Sequence, residues 1–210
     1  MYKHFIKRAL DFFASLIGIL MLALPMLIIA VVIKIDSPGP AIFRQKRFGL
    51  HKKPFYILKF RTMSVDAPKN KPTCELCDSQ MWITKVGRFL RKTSLDEIPQ
   101  IFNIFIGQMS FVGPRPVILA EEDLINERDK YGANDVKPGL TGWAQINGRD
   151  ELKYDVKAKL DGEYVNRLSF LFDFKCLFGT IKIVCNHDGQ IEGNSGETAS
   201  ASTEQESVTH

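Results

Sequence analysis

From Phe12 to Ile33 the run "FFASLIGILMLALPMLIIAVVI" carries no charge over 22 residues. This excludes a segment exposed to water along its whole length. At ~1.5 Å per residue, a helix of this run reaches across the ~30 Å hydrocarbon core of a bilayer. A cleaved signal peptide is disfavoured, because the run is long and no small-x-small site follows it. Cysteine is scarce: Cys74, Cys77, Cys176 and Cys185 are the only four. Cys74-Glu-Leu-Cys77 is a single C-x-x-C, and Cys176 and Cys185 lie in an apolar segment without that spacing. A four-ligand zinc site is therefore not supported, and reduced thiols in a loop are expected. Unpaired thiols fit a cytoplasmic body. No internal repeat is present, which excludes solenoids and propellers.

The last 25 residues, 186–210, hold no Lys or Arg but five acids: Asp188, Glu192, Glu197, Glu204 and Glu206. The formal charge is +4, from 28 Lys and Arg against 24 Asp and Glu, so residues 1–185 carry +9. A basic body implies an anionic partner: lipid headgroups, nucleotide phosphates or nucleic acid. Residues 186–210 have little apolar surface to bury and read as a disordered acidic tail.

Basic residues flank the uncharged run on both sides. Lys3, Lys7 and Arg8 precede it; Lys34, Arg44, Lys46, Arg47, Lys52 and Lys53 follow. Cations favour the cytoplasmic side, and a single crossing would put one flank outside. Pro25, in the middle, removes a helix hydrogen bond and kinks the rod. A hairpin that bends at Pro25 and a kinked single span both remain open on these residues alone.

The remainder reads as one α-rich α+β unit. Asp36-Ser-Pro-Gly-Pro40 is a turn. Residues 41–45 and 54–60 read as strands of a short hairpin around Gly49. Residues 64–80 form a polar loop, and 83–92 a short amphipathic helix. Ile98, Ile101, Phe102 and Phe105 recur at helical spacing, and Gly107 ends that helix. "SFVGPRP" is extended, 121–131 a charged helix, and "VKPGLTGWAQINGRD" rich in turns. Residues 152–168 and 170–185 form two more helices. The second is aromatic and aliphatic enough to pack in a core or to lie in the membrane interface.

The acid pair Asp96-Glu97 stands out within "RKTSLDEIPQIFNIFIGQMSFVGPRP". Ser94 and Glu97 match a capping box, and Asp96 is a second N-cap candidate ahead of Pro99. Lys59, Arg61, Arg88, Arg91, Arg115 and Arg149 supply cations from separate segments. Arg115 is stiffened between Pro114 and Pro116. Arg149 follows glycines that permit close backbone approach to a ligand. Phosphate chemistry needs such cations, together with a carboxylate that attacks or binds metal. A carboxylate at a helix start among cations stays ionised. Its neighbour points about 100° away on a helix, so the two acids would take separate roles.

"KFRTM", "TSLDEIPQIFNIFIGQMSFVGPRP", "KPGLTGWAQINGR" and "SFLFDFK", in this order behind a basic–apolar N-terminus, resemble the bacterial sugar transferases. The closest resemblance is to the small PglC-like monotopic phosphoglycosyl transferases, over residues 1–185. It implies transfer of a sugar phosphate from a UDP-sugar to undecaprenyl phosphate, with release of UMP and a covalent phosphosugar–aspartate intermediate. It implies Mg²⁺ as cofactor. Asp96 would be the nucleophile, and Glu97 its partner at the metal or in proton handling. Lys59, Arg115 and Arg149 would bind phosphates beside Arg61 and Arg88, and Asp173 in "LFDFK" is a further metal candidate. Residues 1–36 would be a re-entrant helix–break–helix hairpin, residues 37–185 a catalytic domain on the cytoplasmic face of the bacterial inner membrane, and 186–210 the tail. Inner-membrane lipid and downstream glycosyltransferases would be partners, and nucleic acid would not. Relatives break this helix at Ser-Pro, whereas the pair here is Leu24-Pro25. Direct attack without a covalent aspartate, and a non-enzymatic membrane adaptor, are the competing readings.

Overall fold

The computed structural model describes residues 2–67, 79–148 and 152–185. The expectations for Arg149, for Cys74 and Cys77, and for the tail at 186–210 fall outside the described residues.

The uncharged run lies within one helix, α1 (Lys7–Asp36), which follows a π-helical turn at Tyr2–Ile6. Pro25 is inside α1, and helical backbone continues on both sides of it. The expected break at Pro25 is thus no interruption of helical backbone: the residue removes one amide donor, and the helix runs through it. Its middle is apolar and exposed, as at Leu20, Met21, Leu24 and Leu27, while only Asp11, Ser15 and Ile33 are buried. Among the described residues it is the one helix long and apolar enough to cross a membrane.

Both ends of α1 pack on the same body. Near the start, Arg8 donates to the Ile104 and Phe105 carbonyls at 2.8 and 2.7 Å, and Phe12 stacks on Phe105. Asp11 accepts from the Phe111 amide at 3.1 Å. At the far end, Ile33 is buried with Ala41, Phe60 and Leu90, and Asp36 accepts from the Val86 amide.

The expected hairpin is present as β1 (Ile42–Phe48) and β2 (Pro54–Phe60), antiparallel from Ile42↔Phe60 to Phe48↔Pro54. A four-residue helix α2 (Ser79–Trp82) and then α3 (Lys85–Lys92) follow. Thr84 starts α3, its hydroxyl accepting from the Gly87 amide. The apolar i, i+3, i+4 pattern gives α4 (Gln100–Phe105). Asn103, buried inside that apolar stretch, accepts from Leu58 N at 3.0 Å and donates to Tyr56 O at 2.8 Å. Its amide serves as the missing neighbour strand for the outer edge of β2, which docks α4 there.

The chain continues through β3 (Ser110–Val112), α5 (Glu122–Asp129), β4 (Gly139–Thr141), α6 (Trp143–Ile146), α7 (Tyr154–Arg167) and α8 (Phe170–Cys185). β3 and β4 form a parallel pair, Ser110↔Gly139 and Val112↔Thr141, where only extended and turn-rich stretches were expected. The glycines make it possible. A Cβ on Gly139 would lie 2.1 Å from Gly113 N, and one on Gly113 would lie 2.4 Å from Lys137 O. These two glycines bring backbone to backbone. On α8, Phe172 and Cys176 pack with Tyr164 and Val112, while Phe170, Leu171, Phe174 and Phe178 are exposed. One side of the helix therefore joins the core, as expected, and the other presents an apolar surface.

Gly113→Ala and Gly139→Ala should each cost about 1–3 kcal/mol by overpacking. At ~2–4 °C per kcal/mol for a chain of this size, thermal unfolding should fall by several degrees. A melting point unchanged in both variants would contradict the close approach.

Candidate active site

α3 ends at Lys92, and the chain reverses at Ser94, which is left-handed at φ 56° and ψ 16°. Left-handed backbone is costly for a residue with a side chain and concentrates at functional sites. Leu95–Glu97 then form a 3₁₀ turn, and α4 begins only after Pro99. Neither the turn nor α4 is closed by a side-chain cap. The capping box expected at Ser94 is thus corrected: Pro99, fixed at φ −61°, is the residue ahead of α4, which moves the helix start past both acids. Successive residues of a 3₁₀ turn project about 120° apart. Asp96 is 7 % exposed; Glu97 turns toward Lys59 and Arg115.

Period two along β2 explains Lys59. Phe55 and Ile57 face Ile104 and Met109, so Lys59 projects from the same side, toward the residues that lead into α4. Its Nζ donates to Glu97 Oε1 at 2.7 Å, and Arg115 Nη2 lies 3.5 Å from the same oxygen. Burial pushes the Glu97 carboxyl up, but Lys59 and Arg115, with a smaller contribution from Arg47, outweigh it and lower its pKa to about 2. Glu97 is therefore ionised at neutral pH.

The other expected cations separate. Arg61 is buried, and its guanidinium donates to the Pro38 and Ser37 carbonyls and to the Ser37 hydroxyl. It ties down the turn after α1, and these bonds to Ser37 and Pro38 turn its guanidinium to the fold. Arg88 is exposed on α3. Arg91 donates to the Thr62 hydroxyl at 2.9 Å.

Both oxygens of Asp173 are bonded within the chain. Tyr2 and Lys7 donate to one of its oxygens and Tyr164 to the other, with Lys7 at 2.6 Å. Burial, then the Asp173 charge, push the Tyr164 hydroxyl above its ordinary range, so it remains a donor. Among the described residues no three His, Cys, Asp or Glu side chains converge on a point that could hold a metal ion. The Asp96–Glu97 pair still fits Mg²⁺, which is commonly held by one or two carboxylates with substrate phosphates and water completing its shell.

Ser94, Glu97 and Arg115 form the polar end of a cavity of about 450 Å³. Ile98, Leu140, Leu177, Ile181 and Val184 give it apolar walls, largely from α8. Thr141, Gln145 and Thr180 also line it. Sequence reasoning missed these three, although Thr141 and Gln145 lie within the quoted "LTGWAQ". It missed Asn103 too, whose only signal was an amide in an apolar helix. The cavity thus joins one carboxylate, Glu97, and one cation, Arg115, to a greasy wall, which suits an amphiphilic phosphate; Asp96 and Lys59 are not part of its lining, Lys59 being bonded to Glu97.

Residues 2–187 match the family described as bacterial sugar transferase. The chain is 40 % identical over 186 residues to the UDP-glucose:undecaprenyl-phosphate glucose-1-phosphate transferase of Escherichia coli K12, over 85 % of this chain and 40 % of that protein. It is 38 % identical over 202 residues to the undecaprenyl-phosphate galactose phosphotransferase of Salmonella typhimurium, over 89 % of this chain and 42 % of that one. With the uncharacterized sugar transferase EpsL of Bacillus subtilis it shares 39 % over 184 residues, which is 88 % of this chain and 89 % of EpsL. The chain therefore spans about two fifths of the first two relatives and most of the third.

The depressed Glu97 pKa carries a pH signature. A carboxyl lowered from 4.5 to about 2 adds stability that is present above pH 4.5 and lost as pH falls toward 2. At ~1.4 kcal/mol per unit this is on the order of 3 kcal/mol. Denaturant unfolding in detergent at pH 6 and pH 3 should show wild type losing more stability than Glu97→Gln. Parallel losses would mean that Glu97 is not held by its cations.

Proposed function

The chain belongs to the bacterial sugar transferase family, and from that premise we propose that it moves a sugar 1-phosphate from a UDP-sugar to undecaprenyl phosphate, through a covalent intermediate on Asp96. The observation that carries this reading is Glu97, held ionised by Lys59 and Arg115 beside buried Asp96, at the polar end of an apolar-walled cavity.

An Asp96 oxygen attacks the phosphorus that bears the sugar, the bond from that phosphorus to the bridging oxygen breaks, and UMP leaves with the bond electrons. A phosphate oxygen of undecaprenyl phosphate then attacks the same phosphorus, which restores the Asp96 carboxylate and yields the lipid-linked diphosphosugar. Lys59 and Arg115 hold phosphate oxygens and offset charge as it shifts. Arg149 is a third phosphate ligand on the family resemblance. Mg²⁺, held by Asp96 and Glu97 with the diphosphate, would supply further neutralisation. The apolar walls from α8 suit the isoprenoid part of the acceptor.

Topology belongs to the same reading. A catalytic body lies on one side of a membrane, and both ends of α1 pack on that body. This supports a re-entrant, monotopic anchor with the body on the cytoplasmic face, in which α1 would bend at Pro25, where one helix hydrogen bond is missing. Downstream glycosyltransferases would receive the product. In a cysteine-free background, cysteines placed at positions 3 and 52 should both label from the cytoplasm alone. Labelling of position 3 from the opposite side would overturn the re-entrant anchor.

Activity is read by UMP release from a panel of UDP-glucose, UDP-galactose and N-acetylated UDP-sugars with undecaprenyl phosphate. Asp96→Asn should keep the melting point, since no cap is lost, and should lower turnover at least about a thousandfold, because an amide is a poor nucleophile. Glu97→Gln should also reduce it. A phosphosugar adduct should be trapped on wild type when the acceptor lipid is withheld. Substantial turnover in Asp96→Asn, with no adduct, would favour direct attack. No UMP release from any sugar would leave the adaptor reading.

A further inference from the structure

Arg115 lies between two prolines, and proline has no N–H. This stretch cannot be fixed as a strand is, and its carbonyls take donors from elsewhere. Gly139 N donates to Pro114 O at 2.9 Å, Arg128 Nη1 to Arg115 O at 2.9 Å, and Arg47 Nη1 to Pro116 O at 3.2 Å. Arg128 comes from α5. Its Nε and Nη2 both reach Asp161 Oδ2 on α7, at 2.8 and 2.6 Å. The two side chains are 4 % and 1 % exposed, and neither residue lines the cavity. A buried ion pair gains little over well-packed apolar residues, so stability alone is a weak reason for one here. The planar guanidinium of Arg128 does suit this place: Nε donates to the carboxylate and Nη1 to a carbonyl, with Nη2 kept in ion-pair range of the same carboxylate oxygen.

We propose that Arg128 and Asp161 are positioning residues for phosphoryl transfer: together they hold the Pro114–Pro116 backbone so that the Arg115 guanidinium meets Glu97 and the substrate phosphates. This rests on the transferase reading above. The path is short: hydrogen bonds run from Arg128 to Asp161 and to the Arg115 carbonyl, and the Arg115 side chain forms an ion pair with Glu97 at 3.5 Å.

The test is a double-mutant cycle on the full chain, read by UMP release with the UDP-sugar that wild type uses best. Arg128→Lys and Asp161→Asn should each lower kcat/KM at least about tenfold. Each should cost less than about twofold when added to Arg115→Ala, since the residue they act through is already gone. The loss should divide between kcat and KM in the same proportion as in Arg115→Ala, because both act through the same guanidinium. Equal losses in both backgrounds, or no loss, would overturn the proposal. If either single variant fails to fold, Arg128→Leu with Asp161→Leu leaves no buried charge unpaired. A folded leucine pair with low activity supports positioning. A folded pair with wild-type activity overturns it, and so does a pair that cannot fold, which would assign the ion pair to stability. Absence of UMP release by wild type would instead defeat the transferase reading.

Discussion

The side-chain amide of Asn103 occupies the outer edge of β2, accepting from Leu58 N and donating to Tyr56 O. It also donates to Gln108 Oε1, so both of its polar atoms are bonded within the fold. An amide buried without partners would cost more than it gained, and one that completes a strand edge does not. Through it α4 has a fixed angle and register against the hairpin. Lys59, on β2, and Glu97, in the turn before α4, come within 2.7 Å as a consequence. The catalytic geometry proposed above thus depends on a neutral residue that touches neither acid in any bond described here.

The basic character of the chain divides into two uses. Lys59 and Arg115 face the acid pair. Arg8, Arg47, Arg61 and Arg128 donate instead to backbone carbonyls, at the end of α4, at Pro116, in the Ser37–Pro38 turn and at Arg115. These carbonyls belong to a helix C-terminus and to proline-rich stretches, where backbone N–H donors run short. A guanidinium offers several N–H groups in a fixed plane and suits the work better than an ammonium. Net charge alone would have counted every arginine as a contact for an anion.

Much of this was legible in the residues. The hairpin, the helix at 170–185 and the membrane segment follow from alternation, from apolar periodicity and from an absence of charge, all of which are local signals. The acid pair and Lys59 stand out in the residues, and the structure brings Lys59 to Glu97. What was not legible is non-local. Three-residue strands are too short to show period two, so β3 and β4 emerge only once Gly113 and Gly139 have met. The roles of Arg61 and Asp173 are set by Ser37–Pro38 and by Tyr2, Lys7 and Tyr164, partners 23 to 24 and up to 171 residues away in the chain. The capping box at Ser94 matched in sequence and failed in space, because Pro99 and a left-handed Ser94 rebuilt the start of α4.

The contact between Lys7 and Asp173 joins residues 166 positions apart. Ribosomes add ~5–20 residues per second, so on the order of ten seconds or more separates the synthesis of the two. Throughout that interval α1 exists while the helix that will clamp its start does not. On the anchored reading proposed above, its first encounter with lipid would be governed by its own sequence: the flanking cations, the apolar run and Pro25. The body would then fold around a segment already settled in the membrane, and the Tyr2–Lys7–Asp173 clamp would secure a placement that it had no part in choosing.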